Sequence, residues 1–264
     1  MAGFGEVAEA LRRATVEVRL PESRGGGSGV IWESDGLVLT NSHVARAERL
    51  QVDLWDGRHY EGRVTARDPR RDVAAIRIAA RDLPAVAAGD SSALRPGELV
   101  IAIGSPLGFS GALSTGVVHS VGPIAGMGRA SWIRASVRLA PGNSGGPLAD
   151  ALGRVVGLNT AIVNGLGVAL PANAAARLVR DGSPPMLGVT LQPVQSGLLV
   201  LGVDPRGAAA ASSLRAGDIL LGSYEELGDA LDAGDEVLRL RFLRGDARRV
   251  REAYVRLVPR AEAA

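Results

Sequence analysis

The sequence predicts a mainly β protein made of two domains. Short apolar segments recur through the first two thirds of the chain, and small clusters of Gly, Asp, Ser and Asn separate them. This spacing is typical of an all-β sandwich or barrel. Residues 181–185 (Asp-Gly-Ser-Pro-Pro) then follow a helical pattern with residues that end helices and stiffen connections. We therefore place a domain boundary in this linker.

The elements follow from periodicity and turn residues. A short amphipathic helix is predicted over residues 4–14, either packed on its own domain or used in self-association, and a second helix over 171–180. Residues 24–29 are Gly-rich and are predicted as a flexible turn, and residues 34–36 as the turn of a hairpin. Strands are predicted over residues 15–20, 30–32, 37–39, 51–54, 61–66, 73–78, 99–103, 116–121, 131–137, 155–161 and 167–170.

The composition is that of a globular protein with an aliphatic core. Of the 264 residues 46% are hydrophobic and 22% charged, but only 3% are aromatic. There is no cysteine, which excludes disulfides and thiol catalysis. All 30 basic residues are arginines, nearly balanced by 28 acidic ones, and no dense basic run with aromatics occurs. Nucleic acid is therefore not an expected partner.

Several further classes of protein are not expected. No apolar run reaches the roughly 20 residues of a membrane span. The amino terminus lacks the charged-then-apolar pattern of a signal peptide. No cluster of His, Cys and carboxylates with metal-ligand spacing is visible, so neither a metal nor another cofactor is expected, and chelators should not inhibit.

A glycine-rich stretch, residues 141–148 (Pro-Gly-Asn-Ser-Gly-Gly-Pro-Leu), is the strongest candidate for a catalytic segment. Ser144 lies between glycines, so the backbone can turn sharply and expose the hydroxyl. Successive N–H groups of such a turn can point into one small space, as acyl transfer requires. Taken alone, the stretch fits an ordinary Gly-rich loop equally well.

A serine nucleophile needs a base and a carboxylate that orients the base. His43 follows one apolar strand pattern, and Asp72 directly precedes another. The chain order His43, Asp72, Ser144, with spacings of 29 and 72 residues, is that of chymotrypsin-type peptidases. Subtilisins and α/β-hydrolases use other orders.

Other interpretations of these residue types remain. Asp72 could be a turn or salt-bridge aspartate beside Arg70 and Arg71. The remaining histidines, His59 and His119, lack a comparable setting, and we interpret them as structural.

Three segments together resemble the catalytic motifs of the HtrA (Deg) family of trypsin-like serine proteases. They are residues 40–44 (Thr-Asn-Ser-His-Val), 72–74 (Asp-Val-Ala) and 142–148 (Gly-Asn-Ser-Gly-Gly-Pro-Leu). The resemblance continues through residues 103–108, 157–161 and 167–171, closely over residues 4–182 and more loosely over 184–259. It implies a double β-barrel protease domain over residues 1–182, with the site between two perpendicular six-stranded barrels. It also implies a small PDZ-like α+β domain over residues 184–259.

The resemblance implies a role for each site residue. Ser144 would be the nucleophile, His43 the general base, and Asp72 the group that fixes the tautomer of His43. The N–H groups of Gly142 and Ser144 would form the oxyanion hole.

The resemblance also implies where substrate would bind. Thr160, Ala161 and Ile162 would line the substrate channel and pair with an extended peptide. Ile162 would help to form an apolar S1 pocket, and no acidic residue is placed to favour Arg or Lys at the cleavage site. We therefore expect a small aliphatic P1 residue such as Val or Ala.

The carboxyl-terminal domain resembles a shortened PDZ domain. Leu187, Gly188 and Val189 match its carboxylate-binding loop, and a peptide carboxyl terminus would add as an edge strand beside residues 189–191. Residues 209–217 match its first helix, residues 218–220 the following strand, and residues 224–231 the helix that flanks the groove. The hairpin usual between that strand and that helix is missing.

Two functions of different classes are predicted. The first is an ATP-independent endopeptidase acting on unfolded or damaged proteins, as a homotrimer by resemblance. The second is a catalytically silent peptide-binding or chaperone protein, because residues 134–137 (Arg-Ala-Ser-Val) replace the family's usual Thr-Asp-Ala. The resemblance implies a periplasmic or other extracytoplasmic location, whereas the missing signal pattern leaves the cytoplasm open.

Overall fold

The chain folds into two compact units, Met1–Gly182 and Ser183–Ala264. The computed structural model describes residues 3–20, 26–105, 111–125, 127, 130–205, 207–233 and 235–257. The predicted linker, residues 181–185, spans the point of division.

The first barrel of the first unit has six antiparallel strands in the closed order β1-β2-β3-β6-β5-β4. Successive side chains of a strand point to opposite faces, and both faces are apolar here. Val38 and Ile76 lie inside the barrel, whereas Leu39 and Ala75 face a core shared with the second barrel. The strands are β1 (Thr15–Arg19), β2 (Gly26–Glu33), β3 (Leu37–Thr40), β4 (Arg49–Asp53), β5 (His59–Asp68) and β6 (Val73–Ile78).

The second barrel is also closed, in the order β10-β11-β12-β9-β8-β7. Val100, Ile133 and Leu148 lie in its interior, while Leu158 and Leu170 face the shared core. The prediction of a mainly β, double-barrel fold is thus confirmed. The strands are β7 (Leu99–Gly104), β8 (Ala112–Gly122), β9 (Trp132–Ala135), β10 (Pro147–Asp150), β11 (Val155–Val163) and β12 (Leu166–Pro171).

The second unit is an antiparallel sheet of five strands in the order β13-β14-β15-β16-β17, with one α-helix. Its core surrounds Phe242 and is otherwise built of Leu, Val and Ala. Ser223 caps helix α3 (Tyr224–Asp232), because its Oγ accepts from Glu226 N–H (3.1 Å) while Glu226 Oε2 accepts from Ser223 N–H (2.8 Å). The strands are β13 (Val189–Val194), β14 (Gly197–Val203), β15 (Ile219–Leu220), β16 (Val237–Arg244) and β17 (Asp246–Arg256).

The two helices of the first unit pack on the shared core. Val7 and Leu11 of α1 (Phe4–Arg13) are buried in it, as are Ala175 and Leu178 of α2 (Ala172–Asp181). The packing predicted for the first helix is therefore present. Within the described ranges, no helix has the length and apolar character needed to cross a membrane.

Two element predictions are wrong, and four strands were not predicted: β10, β14, β16 and β17. Within the predicted turn 24–29, residues 24–25 lie outside the described ranges, and 26–29 begin β2 and pair with β1. The predicted helix 209–217 is only a 3₁₀ turn, Ala208–Ala211. Ser212 Oγ donates to Ala209 O (2.7 Å) and accepts from Leu214 N–H (3.2 Å), and these local bonds replace the next helical turn. Strand β10 begins at Pro147, at the end of the glycine-rich stretch 141–148 that is predicted as a turn.

Candidate active site

Two neighbouring strands bring His43 and Asp72 together. β3 ends just before His43, and β6 begins just after Asp72. The strands are antiparallel, with Thr40 opposite Ala74, so the end of one lies beside the beginning of the other. Residues that are far apart in sequence therefore become neighbours.

Both oxygens of Asp72 are bound by His43. Nδ1 of His43 lies 2.7 Å from Oδ2, and the His43 N–H donates to Oδ1 at 2.9 Å. Because an ionised carboxylate only accepts, Nδ1 carries the proton and Nε2 is left as an acceptor, as a general base requires. The His43 side chain is 41% exposed and that of Asp72 21%, so a substrate can reach the imidazole.

A tight turn precedes Ser144. The Asn143 N–H donates to Ala140 O at 3.0 Å, with Pro141 and Gly142 at the central positions. Gly142 has φ +104°, which fits the third position of a type II turn and favours glycine. Among the residues that the structure describes, no partner accepts a hydrogen bond from the N–H of Gly142 or of Ser144. Both N–H groups are therefore available to an oxyanion.

Ser28, on β2 of the first barrel, makes two hydrogen bonds to the loop of the second barrel that contains Ser144, here called the nucleophile loop. Its N–H donates to Ser144 O (2.7 Å), and its Oγ donates to Gly142 O (2.6 Å). Gly145 has φ +86°, and a Cβ there would lie 2.1 Å from Ser28 O, so only glycine allows this close approach. Ser28 is not among the site residues predicted from the sequence, because its segment was predicted as a turn. The available signal was a run of small residues, which permits close backbone contact.

The hydroxyl of Ser144 is not bonded to the imidazole. Its Oγ donates to the carbonyl oxygen of Thr160 at 3.1 Å. In the described part of the chain, no hydrogen bond joins Ser144 to His43. The two segments are nevertheless close: a Cβ on Gly27 would lie 2.6 Å from Val44 Cγ2 and 2.9 Å from Ser144 O. Catalytic hydrogen bonds of free enzymes often form only when substrate binds.

The predicted substrate channel lies on β11. On one side of residues 160–162 lies strand β12. On the other side no described strand pairs with them, because the pairing of β10 with β11 ends at Leu158. Ile162 is 55% exposed at this open edge. Val137 and Leu139 lie against Gly167, the pairing partner of Ile162, so the surroundings are apolar.

The other candidates for site chemistry have structural surroundings. His59 Nδ1 lies 2.6 Å from Asp53 Oδ1 across the paired strands β5 and β4, and His119 is exposed on β8. Ser136, in the altered segment, accepts from Val117 N–H at 3.0 Å. Among the described residues, no group of three or more His, Cys, Asp or Glu could hold a metal ion.

In the second unit, Leu187, Gly188 and Val189 lead into β13, the outermost strand of the sheet. Gly188 has φ +72°, and its carbonyl accepts from Asp204 N–H at 2.8 Å. Leu187 is buried in the core of the unit. The loop is thus fixed at the edge of the sheet.

The outer edge of β13 is occupied by a tyrosine of the same unit. Leu191 pairs with Val200, whose N–H and C=O both bond towards β15, to Asp218 O and Gly217 N–H. In a non-hydrogen-bonded pair of antiparallel strands, the N–H and C=O groups of each residue point away from the other strand. The N–H and C=O of Leu191 therefore face the free edge of the sheet. Tyr224 Oη donates to Leu191 O at 2.5 Å. An added peptide strand would need this same acceptor.

Comparison with known proteins defines the class. A family model described as a trypsin-like peptidase domain matches residues 27–158. The fold and the site are those of serine-type endopeptidases of the trypsin-like class. The chain belongs to the trypsin-like peptidase family, and its first unit is an HtrA/DegP-like serine protease domain.

Three individual proteins illustrate the similarity. HhoB of Synechocystis, assigned to the serine proteases, is 39% identical over 236 residues, which cover 76% of this chain and 57% of HhoB. A Pseudomonas putida protein described as "probable periplasmic serine endoprotease DegP-like" is 38% identical over 229 residues, 77% of this chain and 48% of that protein. The crystal structure of a serine endoprotease from Yersinia pestis matches with a TM-score of 0.67 and 28% identity, covering 98% of both chains. The chain spans about half the length of the curated relatives.

Proposed function

We propose that the chain is a serine endopeptidase that cleaves unfolded or damaged polypeptides without ATP. The proposal rests on the pairing of His43 with both oxygens of Asp72 and on the N–H groups of Gly142 and Ser144, which bond to no residue that the structure describes. The complete lack of lysine supports ATP independence, because a Walker-type phosphate loop needs one.

The proposed mechanism is acyl transfer to Ser144. Oγ turns from Thr160 O to Nε2 of His43, gives up its proton there, and forms a bond to the scissile carbonyl carbon. The N–H groups of Gly142 and Ser144 stabilise the oxyanion. His43 then passes the proton to the amine nitrogen as the scissile C–N bond breaks. Water, deprotonated by His43, adds to the acyl carbon, and the proton on His43 returns to Ser144 Oγ as the ester bond breaks.

The proposed substrate is an extended chain with a small aliphatic P1 residue. The open edge of residues 160–162 offers backbone groups to such a chain, as a sheet edge does to an added strand. The apolar side chains of Val137 and Leu139 close to this edge support an uncharged S1 pocket. Profiling of P1 with a peptide library should return Val or Ala, and cleavage after Arg or Lys would contradict this preference.

For the second unit we propose a PDZ-like role in binding peptide carboxyl termini, beside residues 189–191. This role is supported by Leu191, which lies on an edge strand and whose backbone N–H and C=O face away from the sheet. A bound peptide would have to displace the hydroxyl of Tyr224 from Leu191 O. By resemblance we also propose a homotrimer, which light scattering coupled to size-exclusion chromatography tests directly.

One observation favours the alternative of a catalytically silent peptide-binding or chaperone protein. Ser144 Oγ is bonded to Thr160 O and not to the base. If the hydroxyl never leaves that carbonyl, the site binds peptides without cutting them. Reaction of Ser144 with an activated phosphorus electrophile separates the two functions.

The proposal is tested by degradation of casein with the full chain. Ser144→Ala removes the nucleophile and should lower turnover by a factor on the order of 10⁶. Ser34→Ala, in the hairpin turn at the far end of β3, is the matched control and should retain full activity. Undiminished casein cleavage by Ser144→Ala would reject the assignment.

A further inference from the structure

Asn41 links the catalytic residues of the two barrels. It follows β3 directly, two residues before His43, and its side chain is fully buried, with 0% of the residue exposed. The sequence motif contains this residue, but neither the triad nor the oxyanion hole uses it. A buried amide needs partners, and the identity of those partners indicates its role.

The orientation of the Asn41 amide is fixed by its acceptors. Nδ2 donates to Asp72 O at 2.9 Å and to Thr160 Oγ1 at 3.1 Å. A backbone carbonyl only accepts, and Thr160 Oγ1 already donates its one hydrogen to Leu158 O at 3.1 Å. The atom that faces both groups must therefore be the nitrogen, and both of its hydrogens are used.

The first bond acts on the backbone of Asp72. This residue has φ +54°, a left-handed conformation that persists only where the surroundings determine it. Asn41 holds the carbonyl group of Asp72, and hence the peptide plane that follows it. The direction of the carboxylate, which binds His43 at both oxygens, depends on this plane.

The second bond crosses to the other barrel. Thr160 lies on β11, and its carbonyl oxygen accepts from Ser144 Oγ. One amide thus connects the backbone of the carboxylate residue to the residue that contacts the nucleophile. We propose that Asn41 is a positioning residue: it holds Asp72 in register with His43 and fixes this pair relative to Thr160 across the two barrels.

This proposal rests on the proposed function. Its test includes one measurement, the tautomer of His43, that does not depend on peptidase activity. Asn41→Leu keeps the volume but removes both donors. Thr15→Val is the matched control, because it also removes a buried hydrogen bond, from Thr15 Oγ1 to Leu11 O (2.8 Å), outside the site. The chain has three histidines, so long-range proton–nitrogen NMR spectra at pH 8 can report the tautomer of each.

In the unmodified protein His43 should be entirely the Nδ1–H tautomer. In Asn41→Leu we expect a mixture with the Nε2–H tautomer, and acylation by a fluorophosphonate about ten- to a hundredfold slower. Thr15→Val should change neither. An Asn41→Leu protein with an unmixed His43 tautomer and an unchanged acylation rate would overturn the proposal, as would an equal loss in Thr15→Val.

Thr160→Val tests the same link if Asn41→Leu does not fold. It removes one acceptor of Asn41 and leaves the bond to Asp72. We expect acylation to slow at least about threefold, since the pair loses its connection to the second barrel. An unchanged rate contradicts the link. If even the unmodified chain is not acylated, the proposed function fails, while the His43 tautomer in Asn41→Leu still decides the positioning role.

Discussion

At the scale of residues, the site depends on one carboxylate that binds its histidine twice. Asp72→Asn keeps the shape, but its amide nitrogen would donate to His43 Nδ1 and so stabilise the wrong tautomer. We expect kcat on a peptide substrate to fall by a factor on the order of 10⁴ at pH 7. Steady-state kinetics measures this, with circular dichroism to verify folding. A loss smaller than tenfold would show that Asp72 does not orient the base.

The residues proposed to perform chemistry could be singled out from the sequence, and those that hold them could not. His43, Asp72 and Ser144 are recognisable because acyl transfer requires particular side chains in a known order. Asn41 and Ser28 act on carbonyl groups of other segments, and such contacts depend on how the barrels meet. No local pattern of residue types predicts how the two barrels pack against each other.

At the scale of elements, the helix of the second unit controls the edge of its sheet. Tyr224→Phe removes the hydroxyl that bonds to Leu191 O but keeps the ring. Because an incoming peptide then displaces no hydrogen bond, its affinity should rise about threefold to tenfold. Fluorescence polarisation of a labelled peptide with a free apolar carboxyl terminus measures the change.

Tyr254→Phe provides the matched control for this experiment. Its hydroxyl bonds to Glu252 Oε2 (2.9 Å) on β17, at the opposite edge of the sheet. The affinity should stay at the wild-type value in this variant. Equal or weaker binding by Tyr224→Phe would contradict occlusion of the edge by the tyrosine.

Elements were predicted well where an apolar run is continuous and poorly where glycines or local side-chain hydrogen bonds interrupt the pattern. The segment 73–78 was predicted with its observed bounds, because its strand is apolar on both faces. The Gly-rich start of β2 has no such apolar run, because small residues there leave room for the loop that contains Ser144. Likewise, Ser212 turns a run that favours helix into a 3₁₀ turn through its own hydroxyl.

At the scale of the whole molecule, an ion pair supports the second unit. Asp218, 1% exposed, receives bonds from Arg244 Nε (2.6 Å) and Nη2 (2.7 Å) and from Arg215 N–H (2.8 Å). Burial alone would raise the pKa of Asp218, but these bonds together hold its pKa below the ordinary value. A lowered carboxyl pKa stabilises the fold above the unfolded pKa of about 3.9, and this stability is lost as the pH falls further.

Arg244→Met should therefore destabilise the second unit by about 3 kcal/mol at pH 7, since it leaves a buried carboxylate without its cation. Hydrogen exchange of peptides from residues 189–257 measures the effect at pH 7. In the unmodified chain, protection of the same peptides should decrease below about pH 4. Unchanged exchange in Arg244→Met would contradict a stabilising role for the pair.

The division of the chain into a double barrel and a smaller sheet domain was accessible from the sequence for two reasons. The linker at residues 181–185 carries strong helix-ending residues, and the motif resemblance supplies the barrel topology. The closing of each sheet into a barrel depends on pairings between strands distant in sequence, such as β1 with β4. Periodicity alone does not specify these pairings.

The central claim is that His43 and Asp72 activate the hydroxyl of Ser144. Fluorophosphonate labelling followed by tryptic mass spectrometry tests it directly, because residues 139–154 form one tryptic peptide whose only serine is Ser144. We predict a single adduct on this peptide in the unmodified chain and none in His43→Ala. An adduct on another peptide, or no adduct at all, would contradict the account.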